Sequence, residues 1–271
     1  MHVGDLVLAL VRYLDRGAPA CLTLKTVLVL LPPSETKAMG GDGPPLDLAA
    51  LSWPELNPVR DKLVDALVEL SSDVPASLAA LGLSERQAGE VERNADLRQS
   101  PTMPALARYT GVLYDALDLP SLKKGERERA FRRLAVASAL FGIVRGGEPI
   151  PAYRLSGGSA VPSIGPLGSL WRPALEPVLN EIDEFVVDLR SGTYATLARI
   201  PNAVIVRVVS EDGRGVRKAV SHHNKAHKGL LARALSTSRT EPKNITGLVK
   251  VAKAAGLRME RTGAQNVDLF A

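Results

Sequence analysis

Between Gly213 and Thr240 the chain carries seven basic side chains, Arg214, Arg217, Lys218, Lys225, Lys228, Arg233 and Arg239, together with three histidines and no carboxylate. With no acid in that run their field is uncompensated locally, and an anion is the natural partner. From Arg207 to Arg261 thirteen Lys and Arg stand against four acids, so the window carries +9 while the whole chain of 271 residues carries +5. A basic C-terminal third on a mildly acidic body reads as a localised footprint for polyphosphate or nucleic acid. A solvated helical face fits the same charges.

The other chemistries have less support. His223 and His227 are four apart, a spacing that can place two imidazoles on one metal, with His222 adjacent. The stretch reads His-Asn-x-x-His, lacks the glutamate of a zinc protease, offers no third ligand and is surrounded by cations. No metal and no cofactor are expected, and the histidines are assigned to hydrogen bonds with phosphate or backbone. The single Cys21 excludes an internal disulfide framework and a cysteine-rich metal site, and fits a reducing cytoplasm. No G-x-S-x-G elbow occurs, so Ser34, Ser156 and Ser191 are loop serines and no residue is assigned a catalytic role. Aromatic residues make up only 4% of the chain, which argues against a stacking platform for single strands and favours backbone-directed contacts.

The elements that must position these groups follow from periodicity. Val27–Leu31, VLVLL, reads as a buried strand stopped by Pro32-Pro33, with Ser34, Glu35, Thr36 and Lys37 emerging at its carboxyl end, where open sheets hold ligands. The apolar spacing Val59, Leu63, Ala66, Leu67, Leu70 predicts a helix over Pro58–Ser71 with Arg60, Asp61 and Lys62 outward. A second helix is expected over Ala76–Leu81, and Ser84 with Gln87 caps a third. Lys123–Arg133 alternates in sign, leads into an apolar helix Leu134–Phe141, and is a second candidate phosphate-facing patch. Gly142–Ser159 reads mostly as loop, carrying Arg145, Tyr153 and Arg154.

Leu170-Trp171 opens an amphipathic helix, and Phe185–Leu189 is a strand followed by the turn Ser191-Gly192-Thr193-Tyr194. A hairpin joins Ala203–Val209 to Val216–Val220. From Asn224, its N-cap, a helix places Ala226, His227, Leu230, Leu231 and Ala234 on the core face and Lys225, Lys228 and Gly229 opposite, with Arg233 at the flank. A last helix over Ile245–Ala255 precedes a terminal hairpin around Gly263. No apolar run approaches the ~20 residues of a membrane-spanning helix, and no membrane partner is expected. Residues 1–25 read as an N-terminal extension and 26–271 as one domain.

Together these pieces resemble the peroxide stress protein YaaA family from about Val27 to the C-terminus. The resemblance rests on LLPPSETK at Leu30–Lys37, on Tyr109-Thr110-Gly111 with Tyr114, and on LFGIVRGGEPIPAYRL at Leu140–Leu155. It continues through Leu170-Trp171, Ser191-x-x-Tyr194, and Lys225 with KGLLAR at Lys228–Arg233. Lys37 is displaced from the family's lysine position, Lys228 replaces an arginine, and His227 stands where the family usually has alanine. The chain looks like a divergent, actinobacterial-type member.

The resemblance implies a single α+β domain, a mixed sheet with surrounding helices, a basic cleft and a helix-hairpin-helix-like element. It also implies binding of double-stranded or distorted DNA and a cytoplasmic role in limiting iron-driven oxidative damage. Phosphate contacts are then expected from Arg154, Arg217, Lys218, Lys225, Lys228 and Arg233. The alternative is an enzyme acting on a nucleotide or other phosphorylated small molecule, in a cleft drawn from Ser34, Thr36, Lys37, Tyr153, Trp171, Ser191, Tyr194 and His223. Convergence of Arg154, Ser191, Tyr194, Lys225 and Lys228 on one deep pocket would favour the small molecule, and a long open groove the duplex.

Overall fold

Val27–Leu31 (β1) is buried along its whole length at the centre of the main sheet of the computed structural model, which describes residues 26–220 and 224–271. Leu134–Ser138 (β2) lies parallel to it on one side and Phe185–Asp188 (β4) parallel on the other. Gly142–Arg145 (β3) closes the β2 edge as an antiparallel strand. On the far side Val204–Glu211 (β5) continues parallel to β4, with Asn266–Phe270 (β8) parallel beyond it. Arg217–Ala219 (β6) forms the expected hairpin with the end of β5, and Met259–Arg261 (β7) the expected terminal hairpin with β8. The sheet is mixed, with the order β7-β8-β5-β4-β1-β2-β3 and β6 attached to β5. The α+β class and the single domain are therefore as expected.

Ten α-helices surround this sheet among the described residues: Asn57–Leu70 (α1), Val74–Leu81 (α2), Gly89–Ala95 (α3), Ala105–Arg108 (α4), Val112–Leu117 (α5), Lys124–Arg133 (α6), Leu167–Asn180 (α7), Gly192–Ala195 (α8), Asn224–Thr237 (α9) and Ile245–Ala254 (α10). Local chemistry sets their ends. Asp73 accepts from the Ala76 amide at the start of α2, and Asn244 accepts from the Gly247 amide at the start of α10. The backbone of Lys123 donates to Glu126 at the start of α6, and Ser84 with Gln87 forms the predicted capping box. No helix of the described residues is long and apolar enough to cross a membrane.

Two expectations are corrected, while Gly142–Ser159 is mostly loop as expected. Leu134–Ser138 is a strand and not a helix: all five residues are buried between β1 and β3, and a short apolar run buried on both faces has no period to separate the two forms. Gly142 then turns the chain at φ 71 under the Trp171 ring, so part of the expected loop is β3. Arg60 does not face outward. It is fully buried and donates to the carbonyls of Phe141 and Ile143.

Arg108 and Arg133 are buried in the same manner. Arg108 binds the carbonyls of Ile150, Ala38, Gly40 and Pro101, while Arg133 binds those of Leu235 and Ser238 and the Glu241 carboxylate. Burial pulls Arg60 and Arg108 down to about 10, still well above neutrality, so these struts stay charged. Arg129 likewise donates to the carbonyls of Ser236 and Thr237. Arg129 and Arg133, read as part of a phosphate-facing patch, instead satisfy the last carbonyls of α9 and tie its C-terminus to α6.

Candidate functional site

The chain leaves β1 toward β2 on one side and later returns to β4 on the other. The carboxyl ends of β1 and β4 are thus the switch point of the sheet, the place where open α/β sheets leave a crevice. A cavity of about 670 Å³ opens there, within the range (~300–1,000 Å³) that encloses small ligands. The loop after β1 contributes Ser34, Glu35 and Thr36, and the loop after β4 contributes Ser191, Gly192, Thr193 and Tyr194. Thr110 and Gly111 enter ahead of α5, Ser156 from the irregular segment 151–159, and Asn224, Lys225 and Lys228 from the first turns of α9.

Hydroxyl groups line much of the wall. Thr36 Oγ1 lies 3.1 Å from Ser34 Oγ and accepts from Thr110 Oγ1 at 3.0 Å, which forms a linked row. Gly111 holds φ 94 beside Ser34 and Thr36, a conformation that glycine adopts without strain. Tyr114 donates to the Pro32 carbonyl and Tyr194 accepts from the Gly157 amide, so both phenols fasten backbone around the cavity. Burial raises both.

Two lysines face this wall in different ways. Lys225 is exposed at the mouth. Lys228, expected on the solvent side of α9, is 7% exposed, and its ammonium donates to the Arg190 carbonyl at 3.3 Å. Burial lowers its pKa, opposed by the attraction of Asp188. The reason for the misplaced face is Gly229. A Cβ at this position would collide with the Leu113 carbonyl and lie 2.8 Å from Ala116 Cβ, so the glycine lets α9 approach α5 closely. That approach turns Lys228 inward and leaves Leu230 39% exposed.

Lys37 lies under the loop rather than in the cavity. It is buried, donates to the carbonyls of Ser34 and Glu35, and has its Nζ 4.1 Å from the centre of the Tyr153 ring. Burial draws its pKa down to about 7, against the attraction of Glu35 and with the repulsion of Arg154. Tyr153 is also buried, its hydroxyl 2.8 Å from those of Tyr109 and Ser138. Trp171 is fully buried and donates to the Ala139 carbonyl, so it is part of the core and not of the cleft.

Of the expected phosphate contacts, Lys225 and Lys228 meet in the cavity with Ser34, Thr36, Ser191 and Tyr194. Arg154 lies behind Glu35, with which it forms an ion pair at 3.5 Å. Arg217 pairs with Glu211, Glu260 and Asp268, and Arg233 with Asp118 and the carbonyls of Leu117 and Asp118. Neither guanidinium is free to take a phosphate without giving up a carboxylate. Lys218 is exposed on β6. His222 and His223 lie outside the described residues, as do residues 1–25. Sequence reasoning missed Thr110, Gly111, Thr193 and Asn224 as wall residues; the Tyr-Thr-Gly-x-x-Tyr spacing was the available signal for the first two.

The family model for peroxide stress protein YaaA matches residues 27–262. The chain belongs to this family. It is 48% identical over 238 residues to a UPF0246 protein of Corynebacterium efficiens, covering 86% of this chain and 95% of the relative. It is 43% identical over 239 residues to a UPF0246 protein of Streptomyces coelicolor, covering 86% and 92%. An uncharacterized protein of Campylobacter jejuni is more distant, 25% identical over 206 residues, covering 75% and 82%. The family supports a role in peroxide stress, and the matched region contains every wall residue of the cavity.

Proposed function

We propose that the protein acts in the peroxide-stress response by binding distorted DNA, one nucleotide of which enters the cleft between the ends of β1 and β4. The observation that carries this reading is the convergence of a hydroxyl row and two lysines on one cavity of nucleotide size. Hydroxyls and ammonium groups are phosphate and sugar ligands, and they read the backbone rather than the base sequence. Exposed Lys225 carries the positive charge to the mouth, where a flanking phosphate would lie. The consecutive helices α9 and α10, joined by residues 238–244, are where a helix-hairpin-helix-like contact is to be sought. Shielding of DNA in the cytoplasm is then the route by which iron-driven damage is limited. Among the described residues no group of three His, Cys, Asp or Glu side chains could hold a metal ion, so iron sequestration has no comparable support.

The meeting of Ser191, Tyr194, Lys225 and Lys228 in one cavity, with Arg154 outside it, is most of the arrangement expected for a small molecule and supports a second reading, a free phosphorylated small molecule as ligand. Titration of the protein with a paired duplex, a duplex carrying one unpaired nucleotide, and a mononucleotide separates the two. DNA binding predicts tighter association with the unpaired site, a steep loss with salt, and uniform weakening across sequences by Lys225→Ala with Lys228→Ala. Salt-independent binding, or thermal protection by a mononucleotide with no affinity for either duplex, sinks it in favour of the small molecule.

A further inference from the structure

A second cavity, of about 500 Å³, lies beside the first on the outer face of β5, between Ala219 of β6 and residues Thr262, Asn266 and Asp268 of the terminal hairpin. Its floor includes Ile205, an apolar side chain left 53% exposed on that face. The two cavities share two wall residues, Asn224 and Lys228. Among the described residues both are incompletely partnered. An ammonium carries three donors, and Lys228 places one on the Arg190 carbonyl. The Asn224 Oδ1 atom is buried with no hydrogen-bond partner, a costly state unless a ligand supplies a donor.

The second cavity does not repel an anion. Asp268, its one carboxylate, is 1% exposed and neutralised by Arg207 at 3.0 Å and Arg217 at 3.3 Å. A cation and an unsatisfied acceptor therefore stand on the partition between two polar cavities, one of which has an apolar floor. A strand of nucleic acid has the matching pattern: an anionic linkage between two units, each with a sugar or base that bears N–H or O–H donors.

Resting on the cleft reading above, we propose that the two cavities form one groove for a single strand of at least two nucleotides. The linking phosphodiester sits on Lys228, a sugar or base donor meets Asn224, and the second unit packs on Ile205. The groove thus takes a local single-stranded segment in preference to an isolated nucleotide.

The test compares thymidine 5′-monophosphate with the 5′-phosphorylated thymidine dinucleotide by calorimetric titration of the full chain. The dinucleotide is expected to bind on the order of tenfold to a hundredfold tighter, because the second contact is made within one complex. Ile205→Glu places a carboxylate in the second cavity from an exposed position and should erase that advantage while leaving the mononucleotide affinity unchanged. Ala219→Glu, also exposed, should do the same from the opposite wall, which guards against a folding defect in either variant. Equal affinity for both probes, or equal weakening of both by the two variants, overturns the groove while leaving the cleft. If neither probe binds, the cleft reading fails and the groove with it.

Discussion

The two ends of the basic stretch look alike in sequence and differ in what surrounds them. At the sheet edge, Arg217 lies among Glu211, Glu260 and Asp268, and Arg258 pairs with Glu211 and Glu260 while stacking over Phe270. These hydrogen-bonded carboxylates raise the arginines further. At the cleft, Lys228 has a carbonyl for a partner, and burial lowers it. The first cluster is already neutralised. The second is held at a cost that an incoming anion relieves, since a ligand charge favours the protonated lysine. Charge density along a chain therefore does not locate an anion site; the distribution of acids brought in from elsewhere decides it.

The largest expected effect comes from removing what distinguishes the two regions. Gly229→Ala forces α9 away from α5, and overpacking against backbone should cost about 3 kcal/mol of stability, measured by denaturant unfolding. It should also lose ligand binding, because Lys225 and Lys228 move with the helix. Lys228→Met keeps the volume but removes the charge, and should weaken binding by roughly 30- to 100-fold with the fold retained. A melting temperature within a few degrees of wild type, together with that loss, supports the cleft as the site.

Lys37 tests the environment by pH. Lysine in the unfolded chain holds its proton to about 10.4, whereas folded Lys37 releases it at about 7. Between those values the unfolded state binds more protons, so stability should rise with pH across that window and be flat below it. Relative to Lys37→Met, wild type should gain up to about 1.4 kcal/mol per pH unit from pH 7 upward. The smallest effect is expected at the sheet edge. Arg217→Ala leaves Arg207 on Asp268 and Arg258 on Glu211 and Glu260, and should shift the denaturant midpoint only slightly, by an amount that shrinks with added salt.

Much of the scaffold was legible because its signals are local. VLVLL before two prolines, the hairpin around Gly213, the helix from Asn224 and the terminal hairpin all follow from period and turn chemistry. The cleft hydroxyls Ser34, Thr36 and Ser191 were legible as polar residues at strand ends. What escaped depends on partners distant in sequence. Leu134–Ser138 is a strand because β1 and β3 flank it, Arg60 is buried because carbonyls near residue 142 receive it, and Arg217 is spent because Glu260 and Asp268 arrive from the terminal hairpin. The inward turn of Lys228 needed one further fact, the contact of Gly229 with Leu113, which no periodicity of α9 contains.

The most direct test is the salt dependence of DNA binding in paired variants. For a duplex with one unpaired nucleotide, the slope of log affinity against log salt should fall by about one unit in Lys228→Gln and remain unchanged in Arg217→Gln. Equal slopes for both variants, or a reduced slope in Arg217→Gln alone, would contradict the assignment of the anion site to the cleft.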